Sequence, residues 1–472
     1  MTTHIDLAVV GGGISGLAAA WEGRRRGARV VVFEAGERVG GKLRTSPLAG
    51  VDLDESADAF LARVPEAVDL CAELGIDADL VSPAPGSAYV WLDGVLRRLP
   101  AEQLLGVPTD LDALAGTGLL TAAGLERARL DHTLPDDRPR HRGGPDDPGG
   151  PADESVGELI RRRLGDEVLD RLVAPLVGSV YAGDCDDLSL QVSAAQLAAA
   201  RDRNPDDPSL VRAAAALRAQ AVDTGRPVFL APRGGMGRLA FELAAALGDD
   251  LRTAAAVTGL APEGGGWRIA PFDVVADAVV VATPAFVSAP LLAPVAPEAA
   301  AFLGGVDHAS VALVALAVPR DGIDHPMDGS GFLVPRSAGL LLTACSWVNA
   351  KWPHLDIDQS VAVLRASAGH AGDDRGRTLD DADLIAGMVA DLRATMGLRV
   401  EPTEVRISRW SCSFPQPRPG HLAAVAEAER ALAQAAPRLA TTGAWAEGVG
   451  VPACIRSARK ATARALGATT GS

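Results

Sequence analysis

Gly11, Gly13 and Gly16 stand in the pattern G-x-G-x-x-G, and Glu34 follows 34 − 16 = 18 residues after the last of them. Such spacing serves binding more than bond-breaking. The first glycine permits a tight turn, the second lets a pyrophosphate approach the backbone, and the third lets helix pack on strand. An acid about 20 residues further on accepts hydrogen bonds from a ribose. Glu34 favours a free 2′-hydroxyl and repels a 2′-phosphate. Gly12, Ile14 and Ser15 complete the loop, whose N–H groups at a helix start would face the phosphates. A ligand-free turn would carry the same glycines, so the flanks decide. Before the motif lies the apolar run Ile5–Val10, a buried parallel strand. After it comes Leu17–Glu22, a strong helix former. Arg29–Glu34 reads as the next strand, with the acid at its end. Dinucleotide binding follows, and Gly11→Ala is expected to press a methyl group into the pyrophosphate path.

Glu34-Ala35-Gly36-Glu37-Arg38-Val39-Gly40-Gly41-Lys42-Leu43-Arg44 continues the motif. Gly40 and Gly41 permit a second tight turn, and Lys42 or Arg44 can reach a pyrophosphate. This run resembles the extended fingerprint of the FAD-dependent amine oxidase and protoporphyrinogen oxidase superfamily. Gly443-Ala444-Trp445-Ala446-Glu447-Gly448-Val449-Gly450-Val451-Pro452-Ala453-Cys454-Ile455 is the second signal. Pro452 suits the first turn of a helix, whose N-terminus would stabilise charge at the N1/O2 edge of a reduced flavin. Together with Val-Tyr-Ala-Gly-Asp at 180–184, these stretches are similar to bacterial protoporphyrinogen/coproporphyrinogen oxidases over nearly the whole length. The resemblance implies FAD, held non-covalently by Gly11, Gly12, Gly13, Ile14, Ser15, Gly16, Glu34, Ala35, Lys42, Ala57, Val257, Trp410, Val449, Gly450 and Val451. It places Arg63 at a substrate propionate, which arginine can grip bidentately. Ser56 and Ser179 stand where the family usually has glycine. No residue is assigned as a catalytic acid or base, because the flavin carries the chemistry.

Those residues need a scaffold, and the chain has the means to build one. Its 472 residues are 48% hydrophobic, enough for two or three domains. The expected fold is α/β: a Rossmann-type FAD-binding domain assembled from separated segments, an α+β substrate domain and a helical insertion. The FAD-binding domain is expected to take residues 1–62, 226–288 and 435–472. Residues 289–434 with 63–88 make the substrate domain, and 89–225 the mainly helical insertion. Within the insertion, 135–154 is dense in Pro, Asp, Gly and Arg and reads as a mobile loop. Residues 63–134 read as mostly helical, and 253–258, 267–271 and 277–282 as strands.

Net charge −15 argues against nucleic acid as a partner. Five cysteines without a C-x-x-C pair suit a reducing compartment. No signal peptide is read, and no apolar run reaches the roughly 20 residues of a spanning helix. A cytoplasmic location with at most peripheral membrane contact is expected. The eight histidines are scattered and no zinc spacing occurs. The resemblance implies that coproporphyrinogen III is oxidised to coproporphyrin III in heme biosynthesis, with three O2 reduced to H2O2. Transient contact with downstream heme-biosynthesis enzymes would follow. Protoporphyrinogen IX oxidase is the first alternative. An FAD-dependent amine oxidase is another, although two tyrosines give little material for an aromatic cage. A non-catalytic tetrapyrrole- or lipid-binding protein on the same scaffold is the third.

Overall fold

The computed structural model describes residues 2–136, 152–203, 206–222 and 227–467. Most of the segment expected to be a mobile loop, 137–151, therefore lies outside the described residues. Strand β1 (Thr3–Val10), helix α1 (Ile14–Arg25) and strand β2 (Val30–Phe33) form the opening βαβ unit. Next, β3 (Thr45–Leu48) and β4 (Val51–Asp54) make an antiparallel hairpin.

The first sheet has seven strands in the order Leu251–Arg252, β2, β1, Val274–Val281, Gly266–Ala270, Gly259–Glu263, with Leu439–Thr441 also on Val274–Val281. All its pairings are parallel except the two within residues 259–281. The register aligns Val10 with Phe33 and Val281, and Val281 with Thr441. The carboxyl ends of four strands thus reach one edge, the edge at which open α/β sheets bind ligands. Helices cover both faces, so the strands are apolar without alternation: all four residues of β2 are buried. α1 packs with Val451–Ala465 on one face. Ala285–Leu292, Pro297–Gly304 and His421–Ala435 cover the other.

The second sheet is also seven-stranded, in the order Glu404–Pro415, His308–Pro319, Val361–Ala368, Leu342–Trp347, Gly331–Leu333, Tyr89–Leu92, Val95–Arg98. Leu384, Met388 and Leu392 of helix Asp381–Met396 pack into its apolar core. Residues 89–98, grouped by sequence with the helical insertion, are instead the edge hairpin of this sheet. Their turn is Asp93-Gly94, both at positive φ (53° and 79°). An Asp-Gly pair between two strand-forming runs is a hairpin signal, and it outweighs the helical reading of 63–134. Among the described residues there, only Pro65–Glu73 and Ala122–Arg129 are α-helices. The strand expected at 253–258 is shorter and earlier, at Leu251–Arg252. Beyond it the Ala254 and Ala255 N–H groups donate to the carbonyls of Gly36 and Glu34 (2.7 and 2.8 Å).

The insertion has its own apolar core around Leu159, Leu172, Val177 and Leu197. At its centre Asp131 and Arg163 form an ion pair (2.7 Å) with side chains 0% and 1% exposed.

Candidate functional site

The glycine loop sits at the aligned strand ends, and its three motif glycines have different duties. Gly11 has φ +105°, and a Cβ there would lie 2.9 Å from the Ala282 carbonyl oxygen. The methyl of Gly11→Ala would therefore strike the neighbouring strand and not the pyrophosphate path, which corrects the expectation. A Cβ on Gly16 would lie 1.8 Å from the Gly11 oxygen, so helix and strand touch there. Gly13 has an ordinary backbone (φ −73°, ψ 178°), and its Cβ would meet only the Gly41 Cα, at 4.0 Å. That open side marks where a ligand fits against the loop. Gly13 is the N-cap of α1, which has no side-chain cap and no acid in its first turn. The N–H groups around Ile14, Ser15 and Gly16 and the positive end of the helix are thus kept for an anion.

Glu34 has a second duty that spacing did not reveal. Its two carboxylate oxygens accept the N–H groups of Gly12 (2.7 Å) and Gly36 (2.8 Å). The acid therefore shapes the loop, while each oxygen keeps a lone pair for a ribose hydroxyl. The Ala254 and Ala255 bonds fasten residues 254–255 to this turn, two residues before Val257, which packs on the core beneath.

Lys42 and Arg44 diverge. Lys42 Nζ donates to the Ser413 carbonyl, lies 5.6 Å from the Phe414 ring centre, and has Cys454 beside it. Burial lowers its pKa. It thus joins the fingerprint to the strand Glu404–Pro415. Arg44 pairs with Glu55 (2.8 Å). A cleft of about 210 Å³ runs along Arg44, Ser46, Glu55 and Arg406 to Trp410. Trp410 Nε1 donates to the Glu55 carbonyl (2.6 Å), which puts the indole beside the turn carrying Ser56 and Ala57. Val449, Gly450 and Val451 lead into the helix Val451–Ala465, which also starts without a side-chain cap.

Asp58, one residue past Ala57, was not singled out by sequence reading. Its Oδ2 takes Lys351 Nζ (2.7 Å), Arg365 (3.2 Å) and Trp352 Nε1 (3.4 Å). Arg365 and Lys351 hold its carboxyl well below the usual range, against burial. The acid-rich run Asp54-Glu55-Ser56-Ala57-Asp58, beside buried Leu53 and Phe60, was the available signal. His421 is a structural residue: its Nε2 bonds the Trp445 carbonyl (2.5 Å). Ser179 turns its hydroxyl back onto the Leu176 carbonyl (2.8 Å). Arg63 is exposed and makes no hydrogen bond or ion pair among the described residues. No group of three or more metal-ligating side chains occurs among the described residues.

Asp54 gives a pH prediction. Burial raises its carboxyl to about 6, although Thr45 Oγ1 (2.5 Å) and the Met236 N–H (2.8 Å) donate to it. A raised acid binds its proton more tightly when folded. Its stabilising contribution is complete below pH ~4 and is lost as pH rises through 6, by up to ~3 kcal/mol. Asp54→Asn keeps the acceptor without the charge. Chemical denaturation across pH 4–8 is expected to show a flatter profile and a gain of roughly 1–3 kcal/mol at pH 8. An unchanged profile assigns the titration elsewhere.

The flavin-containing amine oxidoreductase family model matches residues 14–466. The chain belongs to that family. It is 32% identical to the coproporphyrinogen III oxidase of Bacillus subtilis (strain 168), across 98% of this chain and 97% of the relative. It is 34% identical to the coproporphyrinogen III oxidase of Mycobacterium tuberculosis (strain H37Rv), across 97% of each chain. A crystal structure from Exiguobacterium sp. 255-15, assigned to the protoporphyrinogen oxidases, superposes with a TM-score of 0.82 at 29% identity and 98% coverage of both chains. As a family member the protein takes a flavin, and FAD is its form here. Three features of the chain suit it: an open glycine at the start of α1, an acid at the end of β2, and the helices α1 and Val451–Ala465 starting without side-chain caps. No helix among the described residues is long and apolar enough to cross a membrane.

Proposed function

We propose that the protein is an FAD-dependent coproporphyrinogen III oxidase. The observation that carries this reading is the full-length relation to coproporphyrinogen III oxidases, and it is supported by the glycine loop and Glu34 at the carboxyl edge of the first sheet. Held by Glu34, the α1 N-terminus and the Ala57 turn, FAD would supply hydride-accepting capacity for three two-electron oxidations of methylene bridges, with O2 as the final acceptor and H2O2 as its product. The protein's own work is binding and orientation. Glu34 and the N–H groups of α1 fix the adenosine diphosphate half. The Ala57 turn, Trp410 and Val449–Val451 frame the ring. Asp58, with Lys351 and Arg365, ties the Ala57 turn to the second sheet, so ring and substrate wall move as one body. The three hydrides are balanced by three protons, two from pyrrole N–H groups and one from the fourth bridge, and aromatisation drives their loss without an assigned acid–base residue.

Anaerobic mixing with coproporphyrinogen III and, separately, protoporphyrinogen IX tests the reading. Rapid bleaching of the flavin by the first and slow bleaching by the second is expected. The reverse order would make it a protoporphyrinogen IX oxidase, the reading favoured by the likeness to the Exiguobacterium structure. No bleaching by either, in a protein that retains FAD, would refute both. A cytoplasmic site of action and contact with downstream heme-biosynthesis enzymes belong to the same proposal.

Arg63 is proposed as a propionate anchor. It follows the strand Phe60–Leu61 leading away from the Ala57 turn, and its exposed guanidinium is available to a carboxylate. A charge-assisted contact is worth roughly 1.5–3 kcal/mol. Arg63→Ala is expected to raise KM about tenfold or more with an unchanged flavin spectrum, and Arg63→Lys to recover part of it. Normal kinetics would make Arg63 a surface residue.

A further inference from the structure

Tyr181 closes the helix Ala174–Tyr181 of the insertion and is 5% exposed. Its phenol O–H donates to the Val192 carbonyl (3.1 Å). The Ser193 side chain and the backbone N–H of Val449 face the same phenol oxygen. A Cβ on Gly448 would lie 3.1 Å from that oxygen and 3.7 Å from Val192 Cγ1. The Val449 side chain packs onto the apolar core of the insertion. On its other side the segment is fastened through its main chain. Gln416 Nε2 donates to the Tyr181 carbonyl (2.8 Å), and the Ala371 N–H donates to the Ala182 carbonyl (2.7 Å). Gln416 directly follows the strand that carries Trp410.

These contacts divide the labour within Gly448–Val451. Val449 turns its N–H toward the phenol and its side chain onto the insertion core. The donors left to meet an anion are at Gly450 and Val451, where the C-terminal helix starts. Their position depends on where the phenol holds Val449. Burial pushes the phenol up to about 12, so it stays a donor to Val192 at any working pH.

We propose that Tyr181 is a positioning residue: through Val449 it sets the placement of the Gly450 and Val451 N–H groups against the flavin, so the insertion tunes cofactor affinity and electron acceptance. This rests on the reading that Gly448–Val451 holds the flavin edge. The reverse coupling follows by linkage: whatever shifts the insertion shifts the flavin's N–H donors.

Two variants separate the proposal from its basis. Tyr181→Phe removes only the hydroxyl. Gly450→Ala adds a methyl that the protein itself accommodates, since the backbone is ordinary (φ −65°) and the nearest atom, Pro452 Cδ, is 3.9 Å away. For each, the FAD dissociation constant of the apoprotein, the visible flavin spectrum and the flavin midpoint potential are measured. Tyr181→Phe is expected to weaken FAD binding about tenfold, the worth of one hydrogen bond, with shifted flavin bands. It should slow flavin reduction with little change in substrate KM. If Gly450→Ala disturbs the flavin and Tyr181→Phe does not, the proposal is overturned while the loop assignment stands. If neither disturbs it, the loop does not touch the flavin and both fall. Should Tyr181→Phe fail to fold, 3-fluorotyrosine decides on the native fold. The chain has two tyrosines, so two fluorine resonances arise, distinguished by Tyr89→Phe. The Tyr181 resonance is expected to shift when FAD is added to apoprotein; a fixed resonance overturns the proposal.

Discussion

The Gly13→Ala protein is expected to fold and to purify without flavin. Its backbone angles suit alanine, and the added methyl has no protein atom nearer than 4.0 Å. The methyl would stand where the pyrophosphate must approach the loop. FAD affinity is expected to fall at least a hundredfold, about 2.8 kcal/mol, with the thermal midpoint of the apoprotein close to that of the parent. Fluorescence titration with FAD and a melting curve of the same sample check both halves. Retention of FAD at parental affinity would place the pyrophosphate elsewhere. Gly16→Ala makes the contrast, since its Cβ would sit 1.8 Å from a backbone oxygen. That chain is expected not to fold, and its lack of flavin would say nothing about binding.

The second large effect is on stability. Asp131 accepts from Arg163 Nε (2.7 Å), Ser209 Oγ (2.7 Å) and the N–H groups of Leu210 (3.2 Å) and Val211 (3.0 Å). One buried carboxylate thus joins the helix Val156–Leu164, the turn Leu130–His132 and the start of the helix Leu210–Val222. Asp131→Ala leaves those donors facing a methyl group and is expected to cost about 3–5 kcal/mol. Denaturant unfolding should show it, with FAD still bound under native conditions. Asp131→Leu with Arg163→Met should cost less than Asp131→Ala alone, because no buried charge is then left over. A loss below about 1 kcal/mol would mean that water reaches the pair.

The nucleotide half of the site was legible because its logic is local. Gly11 to Gly16 and Glu34 lie within one βαβ unit, and period and spacing suffice to place them. Much of the remainder depends on partners hundreds of residues away. Asp58 meets Lys351 and Arg365, Glu55 meets Trp410, and Lys42 meets Ser413. The resemblance named Lys42 and Trp410, but no spacing within the chain specifies what they touch. The hairpin at 89–98 was a different miss. Its Asp-Gly turn was present, but the helical reading of the surrounding stretch prevailed. Gly11 was misread because spacing shows which glycines matter and not which way the missing side chain would point.

Val274–Val281 shares one edge between two neighbours: Trp267 and Arg268 pair near its start, and Leu439–Thr441 near its end. The helix behind it is equally late, with Thr462 Oγ1 donating to the Ala19 carbonyl (3.1 Å) across 443 residues. During translation, then, the opening βαβ unit leaves the ribosome long before its covering helix exists. At roughly 5–20 residues per second, that interval is on the order of 20–90 s. The face of α1 that meets Val451–Ala465 waits throughout, while the helix Gly237–Leu247 reaches α1 about midway. The edge proposed for the flavin is complete only once Leu439–Thr441 and the helix from Val451 have been made, so cofactor capture waits for them.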